Sequence, residues 1–303
     1  MPLSLGDHAL GLIFATVAAL AWSAFSFLVK MALRDAPVLR VTACLTTLNA
    51  LLVTLFALSA IPPASFVPRS EKTFVWVLLA GIFHIGISRS FFYVAIHRLG
   101  PNRSVPVAMS YPFVTALFAW PLLGEPLTLR ILLGLAVLLL GISFIVRSAP
   151  ARSEGPPPSP GWRTLGWIAA GVTSILWGIS AIFFKRASLD IHPVAVASFA
   201  LMAGAVVAWM IAFGEAVRSG LPPIPRRAWP WLLAASLFQA TAVPAYNYAL
   251  KHTLAVNVTA IVSAQPLIAI VIGWLFLREA ENITPRLCAG ALLTVAGTLI
   301  VVL

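Results

Sequence analysis

Long apolar stretches, separated by short polar segments, account for almost the whole chain. Nine stretches contain no Asp, Glu, Lys or Arg, and a tenth, residues 73–97, contains a single charged residue, Arg89. A helix needs about 20 apolar residues to cross the roughly 30 Å hydrocarbon core of a bilayer, so the pattern predicts ten transmembrane helices. The nine charge-free stretches are residues 9–29, 41–67, 104–124, 131–146, 164–184, 191–214, 228–250, 252–277 and 287–303.

The composition favours an all-α polytopic membrane protein. Of the 303 residues, 60% are hydrophobic and only 10% are charged, so most helices must be apolar on every side. This excludes a soluble globular protein and a disordered chain. The net charge of +11 comes from Lys and Arg residues that occur singly between apolar stretches, which argues against a nucleic-acid-binding patch. Cys44 and Cys288 lie within apolar stretches and indicate neither a disulfide framework nor a metal site.

A segment rich in Pro, Gly and Ser divides the chain. Residues 147–161 read RSAPARSEGPPPSPG, and this composition cannot continue a helix. We therefore predict a first five-helix repeat over residues 1–147, a linker over residues 148–162 and a second five-helix repeat over residues 163–303.

The two halves match each other at an offset of 154 to 156 residues. Because each half has an odd number of predicted helices, the second half enters the membrane from the opposite side, so the repeats are inverted. Inverted repeats are typical of transporters that work by alternating access. The matched pairs are Trp22 and Trp177, Lys30 and Lys185, Asp35 and Asp190, Pro112 and Pro266, Trp120 and Trp274, Glu125 and Glu279, Arg130 and Arg286, Gly134 and Gly290, and Gly141 and Gly297.

Paired motifs in the two halves carry a family resemblance. The first and sixth helices end in WSAFSFLVK and WGISAIFFK, and the fourth and ninth contain YPFVTALFAWPLLGEPLT and QPLIAIVIGWLFLRE, each followed by a Gly-x6-Gly pair. The chain resembles the EamA family of the drug/metabolite transporter superfamily over its whole length. The resemblance implies a ten-helix inverted-repeat carrier in the bacterial cytoplasmic (inner) membrane, where members export amino acids and other small metabolites. The glycine pairs predict close helix packing.

Arg89 is the main candidate for substrate binding. An ionisable side chain inside a membrane is costly and is by default a functional hypothesis. All nine Asp and Glu residues fall at helix ends or in loops, so the sequence offers Arg89 no deep acidic partner. Its guanidinium can receive a substrate carboxylate in a bidentate arrangement. Alternatively, Arg89 lies at a shallower depth and extends to the membrane interface.

Further candidates are polar and aromatic residues of the predicted helices. Tyr93 lies one turn beyond Arg89, and Tyr111 precedes a proline kink. The structural alternative is that the hydroxyl and amide groups join helices by hydrogen bonds and that the tryptophans pack in the core. The complete set of substrate-binding candidates is Arg89, Tyr93, His84, Trp22, Tyr111, Trp177, Tyr246, Asn247 and Gln265.

Charged residues recur at the ends of the matched helices. We expect Lys185, like Lys30, to interact with the negative C-terminal end of its own helix. Glu125 ends the fourth helix and Arg130 follows it, and we expect an ion pair at this turn and at its counterpart in the second half.

Motifs for catalysis and cofactor binding are missing from the sequence, which contains no HExxH, GxSxG or Walker loop. We expect neither an enzyme nor a bound cofactor or metal. The prediction is an alternating-access exporter of a small organic solute, an amino acid or related carboxylate. Alternatives are an exporter of drugs or other metabolites and a channel-like or assembly subunit of a membrane complex. The expected partners are a small-molecule substrate and the lipid bilayer but no nucleic acid. The sequence is compatible with a monomer and with an oligomer.

The distribution of basic residues predicts an orientation. Thirteen Lys and Arg residues follow odd-numbered helices, six follow even-numbered ones, and the twentieth is Arg89. Because basic loops stay in the cytoplasm, this places both termini outside. The family resemblance implies the reverse arrangement, with basic termini in the cytoplasm.

Overall fold

The computed structural model describes residues 5–33, 36–68, 70–99, 101–148, 160–220, 222–268, 271 and 284–303. Throughout these ranges the regular secondary structure is helical. A π-helical segment, Gly81–Ile87, joins α3 to α4. The helices are α1 (Leu5–Ala32), α2 (Val38–Ala60), α3 (Glu71–Ala80), α4 (Ser88–Leu99), α5 (Pro101–Ala108), α6 (Tyr111–Leu123), α7 (Leu129–Ser148), α8 (Pro160–Asp190), α9 (Pro193–Ser219), α10 (Trp229–His252), α11 (Ala255–Ser263) and α12 (Pro285–Val302).

Eight helical stretches of the described chain are long and apolar enough to cross a membrane. One of them, Glu71–Ile96, combines α3, the π-helical segment and most of α4. The predicted helix over residues 228–250 forms α10, which has a spanning length of 24 residues but is less apolar than the eight spans. The predicted helix over residues 252–277 is described only up to residue 268 and at residue 271. Most of the predicted linker over residues 148–162 lies outside the described residues.

Helix ends follow from the local sequence. The side chains of Ser70 and Thr284 accept the backbone N–H groups of Lys72 and Leu287, which caps the starts of α3 and α12. α6 ends at Gly124, whose φ of 68° is left-handed and favours glycine. These signals divide the apolar chain into separate helices.

The described residues form two compact units. Unit 1 comprises the described parts of Met1–Ile87 and Phe183–Thr253, so it contains α1 to α3, the π-helical segment, the last turns of α8, and α9 and α10. Within it, α1 packs along α10, and α9 packs against α2 and the π-helical segment. A Cβ atom at Gly81 would overlap the backbone of Ala200, so glycine allows α9 to approach closely.

Unit 2 comprises the described parts of Ser88–Ile182 and Leu254–Leu303, with α4 to α7, most of α8, and α11 and α12. α7 packs along α12, and α6 packs against α11. A Cβ atom at Gly297 would overlap the backbone of Leu138, which confirms the close packing predicted from the glycine pairs. Each unit contains residues from both halves of the sequence, so the compact units and the predicted repeats divide the chain differently.

Candidate functional site

Four rings of unit 1 form an aromatic group, the Trp22 cluster, which consists of Trp22, His84, Phe184 and Tyr246. They come from α1, the π-helical segment, α8 and α10. The ring centroid of Trp22 lies 5.2 Å from that of Tyr246 and 6.2 Å from that of His84. The Phe184 ring lies 5.5 Å from His84 and 5.9 Å from Tyr246. The cluster therefore joins elements that are far apart in sequence.

The polar atoms of the Trp22 cluster differ in their hydrogen bonding. The indole Nε1 of Trp22 donates to Oε1 of Gln239 at 2.9 Å. The Tyr246 hydroxyl lies in a side chain that is 1% exposed and has no hydrogen-bond partner among the described residues. A buried hydroxyl without a partner is costly, so this atom is suited to contact with a bound polar group.

His84 lies within the π-helical segment, Gly81–Ile87. Segments of this kind are rare and occur frequently at functional sites. The imidazole is partly buried and stacks on Tyr246, with an angle of 28° between the ring planes. The π-helical segment thus places His84, which lies in the interior of the third predicted helix, against the other rings of the Trp22 cluster.

Asn247 follows Tyr246 on α10 but makes contacts of another kind. Its Oδ1 accepts a hydrogen bond from the Ser188 hydroxyl at 3.1 Å, and its Nδ2 donates to the Val243 carbonyl at 2.9 Å. The side chain is fully buried. The bond from Ser188 joins α8 to α10, as the structural alternative for Asn247 expects, and the bond to Val243 lies within α10.

Four aromatic rings of unit 2 form a second group, the Trp177 cluster, which consists of Trp177, Tyr111, Phe92 and Tyr93. The Trp177 ring lies 5.1 Å from Phe92 and 5.8 Å from Tyr111, and the Phe92 and Tyr93 rings are 6.4 Å apart. Tyr111 is 4% exposed, whereas the other three are partly buried. The cluster brings three of the predicted site residues together.

Arg89 lies on the same face of α4 as Tyr93, one turn before it, and interacts with it electrostatically. Its side chain is partly buried. Arg89 comes seven residues before the end of the span Glu71–Ile96, which places its backbone about 10 Å inside that end of the span. A guanidinium is thus held beside aromatic side chains within a transmembrane helix.

Gln265 lies in helical residues that follow α11 and is partly buried. It belongs to unit 2, as Tyr111 does. Two members of the clusters, Phe184 and Phe92, are absent from the sequence-based candidates. Phenylalanine carries no polar group, and the sequence contains 18 of them, so only the structure distinguishes these two.

Two buried charges act on the ends of α10 and α11. Both carboxylate oxygens of Glu125 accept the backbone N–H of Ala255, at 2.9 and 3.0 Å, at the start of α11. The Lys185 ammonium donates to the carbonyl of Thr253 at 2.7 Å, at the end of α10. Each charge faces the helix end of opposite polarity.

These contacts correct two expectations. Lys185 does not close its own helix, because α8 continues to Asp190, and its ammonium donates to the end of α10. The Glu125 carboxylate binds a backbone amide, whereas Arg130, its predicted ion-pair partner, is exposed. The side chain of Lys30 and all of Glu279 lie outside the described residues.

The described part of the chain contains no group of three or more His, Cys, Asp or Glu residues that could hold a metal ion. The two clusters offer aromatic rings, tyrosine hydroxyls and an imidazole, with the Gln239 amide beside Trp22 and the Arg89 guanidinium beside Tyr93.

Comparisons with known proteins bear on the fold and the family. The profile of the EamA-like transporter family matches twice, over residues 9–147 and 164–303. No curated protein matches the chain. A solved structure titled "Crystal structure of protein" is 18% identical, with a TM-score of 0.79 over 96% of both chains. At this identity the likeness concerns the fold alone.

Proposed function

Since the chain belongs to the EamA-like transporter family, part of the drug/metabolite transporter superfamily, we propose that it exports an amino acid or related carboxylate across the bacterial inner membrane by alternating access. Members of this family are membrane transporters rather than enzymes. A small-molecule substrate and the lipid bilayer are accordingly its partners. The chemistry of the substrate follows from the side chains of the candidate site.

The position of Arg89 is the observation that supports a carboxylate. It places a permanent positive charge inside a membrane span, beside Tyr93 and close in sequence to Phe92 of the Trp177 cluster. A guanidinium binds a carboxylate through two parallel hydrogen bonds, and a low dielectric strengthens them. Arg89 would bind the acid group, and the rings would pack against the apolar part of the solute.

The remaining candidates would contact the solute elsewhere along its path through the protein. Trp22, His84 and Tyr246 offer an aromatic surface, on which the Tyr246 hydroxyl has no partner among the described residues, and Gln265 offers an amide. Asn247 is better explained by its two hydrogen bonds within the protein.

Ten helices in two inverted repeats form the second part of the proposal. Besides the eight spans, α10 has a spanning length, and the helical residues from Ala255 onward begin the predicted ninth helix. The two family matches lie on either side of the linker, as expected if each covers five helices. A monomer is sufficient for this arrangement.

A ligand screen tests the proposed function. The purified protein is heated with each of the twenty amino acids and with the corresponding amino acid amides, since a ligand of the folded state raises its thermal stability. We expect stabilisation by one or a few acids and not by their amides. Amides that stabilise equally well would instead favour an exporter of drugs or other metabolites.

Flux measurements with the ligand from this screen separate a carrier from a channel. In vesicles preloaded with unlabelled ligand, a carrier accumulates labelled ligand by counterflow and its rate saturates with concentration. A rate that rises linearly, without counterflow, would contradict alternating access and favour the channel-like alternative.

A further inference from the structure

Asn49 carries an amide group in the middle of a transmembrane helix. It lies at the midpoint of the span Val38–Ala60, which α2 forms, so about 16 Å of helix separates it from either end. Its side chain has no exposed surface. Neither lipid headgroups nor bulk solvent therefore reach this amide.

Neighbouring helices of unit 1 enclose Asn49. Leu45, one turn before it on α2, belongs to a hydrophobic cluster with Ala235 of α10. Thr47, on another face of α2, accepts a hydrogen bond from the indole of Trp209 of α9 at 2.9 Å. The α2 helix packs against both α9 and α10. The Asn49 amide is thus held within unit 1 and does not face the membrane.

Two asparagines of unit 1 have the same burial but opposite hydrogen bonding. Asn49 and Asn247 are both 0% exposed. The carboxamide of Asn247 bonds Ser188 and Val243 through both of its polar atoms. Neither Nδ2 nor Oδ1 of Asn49 has a hydrogen-bond partner among the described residues. Because a buried amide without partners is costly, Asn49 is suited to a ligand that both accepts and donates hydrogen bonds.

Thr46 adds a third polar atom to the surroundings of Asn49. It lies three positions earlier on the same face of α2 and is also fully buried. Its hydroxyl donates to the carbonyl of Thr42 at 2.7 Å, and the hydroxyl oxygen can still accept a hydrogen bond. A buried water molecule typically makes about three hydrogen bonds. The two atoms of the Asn49 amide and the Thr46 oxygen offer that many positions.

The depth of Asn49 is close to that of a polar contact between α1 and α10. The α1 helix runs antiparallel to α10, and α2, as the next span, runs parallel to α10. Asn49 lies one turn beyond Leu45, and Gln239 lies one turn beyond Ala235 of the same hydrophobic cluster. The Asn49 amide and the hydrogen bond between Trp22 and Gln239 therefore form a polar layer across three helices.

From these features we infer that unit 1 binds water at Asn49, with at least one molecule hydrogen-bonded to its carboxamide. Water is the smallest molecule that both donates and accepts hydrogen bonds, and protein interiors hold it where buried polar groups lack protein partners. An acyl chain offers no hydrogen bonds, and an organic solute is too large for a side chain without exposed surface. The bound water allows an amide to remain at the middle of the bilayer beside the Trp22 cluster.

Solid-state NMR of the protein in lipid bilayers tests this inference. The protein is labelled with ¹⁵N-asparagine and reconstituted in lipids with deuterated acyl chains, and magnetisation is transferred from water to the side-chain amides. We expect the Asn49 amide to receive magnetisation severalfold faster than the equally buried Asn247 amide. Each signal is assigned by its loss in Asn49→Leu or Asn247→Leu. Equally slow transfer to the two amides would overturn the inference.

Radiolytic labelling provides a second readout. X-ray irradiation converts bound water to hydroxyl radicals, which oxidise neighbouring side chains, and mass spectrometry locates the products. We expect severalfold more oxidation at Leu45 than at Leu138 of α7, although the two are only 2% and 0% exposed. Asn49→Leu should lower oxidation of Leu45 to the level of Leu138. If this variant fails to fold, the comparison within wild type still decides, because equal oxidation of the two leucines would contradict bound water.

Discussion

At the residue scale, Trp22 and Tyr246 form a natural comparison, because they are neighbours in one cluster and, among the described residues, the indole of Trp22 has a hydrogen-bond partner and the hydroxyl of Tyr246 has none. Trp22→Phe removes the indole donor and leaves the buried Gln239 oxygen without it. We expect the free energy of unfolding to fall by about 1 to 3 kcal/mol. Tyr246→Phe removes a hydroxyl with no partner among the described residues and should cost no stability. Thermal unfolding in one detergent compares them, and equal losses would contradict this assignment.

His192 makes the stability of unit 1 depend on pH. Burial, and secondly the positive charge of Lys251, lower the pKa of His192 below its ordinary value of 6.5. Its Nδ1 accepts the backbone N–H of Val194 at the start of α9, and its Nε2 lies 2.9 Å from the Tyr248 hydroxyl. The folded state therefore favours the neutral ring. The contribution of the neutral His192 ring to stability is complete at pH values above its ordinary pKa. It is lost as the pH falls through the lowered pKa of the folded state.

Unfolding measurements at pH 7.5 and at pH 5 test this dependence. We expect wild type to lose stability at the lower pH, where protonation of Nδ1 removes the cap. Asparagine also caps helices but does not titrate, so the part of the loss that depends on His192 should disappear in His192→Asn. His192→Ala should cost about 1 kcal/mol at pH 7.5. An identical pH dependence in wild type and His192→Asn would contradict the role of this ring.

At the element scale, α11 depends on a carboxylate from the turn that follows α6. Glu125 is 6% exposed and receives the first N–H of α11. Glu125→Ala should leave that N–H without its acceptor and cost about 1 to 3 kcal/mol. Faster amide hydrogen exchange at residues 255–259 would report the loosened helix start.

The second half of the sequence supplies a matched control for this prediction. At the offset of 154, Glu125 corresponds to Glu279, and Ala255 corresponds to Pro101. Proline has no backbone N–H, so Glu279 cannot make the corresponding bond there. Glu279→Ala should therefore leave exchange at residues 101–105 unchanged. Equal effects of the two substitutions on their matched segments would contradict the capping role of Glu125.

The sequence predicts most helices of the fold but not their details. Charge-free stretches locate helices such as α2 and α9 because a bilayer requires continuous apolar residues. The π-helical segment at residues 81–87 leaves no mark in hydropathy, since its change of hydrogen bonding does not alter composition. The sequence also could not predict the partner of Lys185. Thr253 lies 68 residues further along the chain, and it binds Lys185 through its backbone carbonyl, a group that every residue has.

For the candidate site, the sequence predicts the members of the clusters better than their grouping. Trp177, Tyr111 and Tyr93 are predicted individually, and the structure places them in one cluster. Whether a buried amide is free to bind a ligand depends on tertiary contacts, as the bond between Asn247 and Ser188 illustrates.

At the scale of the whole molecule, the proposal of five helices per half can be tested by topology. Five spans place the linker on the side of the membrane opposite to both termini, whereas four place all three on the same side. Alkaline phosphatase, active only outside, and a fluorescent protein that folds only in the cytoplasm are fused to each terminus or inserted after residue 155. We expect the linker and the termini to report opposite sides.

The same fusions determine the orientation. The excess of Lys and Arg after odd-numbered helices predicts an external C-terminus, and therefore an active phosphatase and a dark fluorescent protein at that position. A fluorescent C-terminus would contradict this charge-based prediction and favour the orientation implied by the family resemblance.

The central claim is that Arg89 binds the carboxylate of the substrate, and it is tested most directly by ligand discrimination. The affinities of the acid found in the screen and of its amide are measured with wild type, Arg89→Ala and Arg89→Lys, and with Arg98→Ala as a control on the same helix. Loss of the guanidinium should weaken acid binding by about 10- to 150-fold, equivalent to roughly 1.5 to 3 kcal/mol, and should abolish the preference over the amide. Arg89→Lys should keep part of the acid affinity, because an ammonium retains the charge but lacks the planar fork of the guanidinium. If Arg89→Ala still distinguishes the acid from the amide as wild type does, Arg89 does not bind the carboxylate.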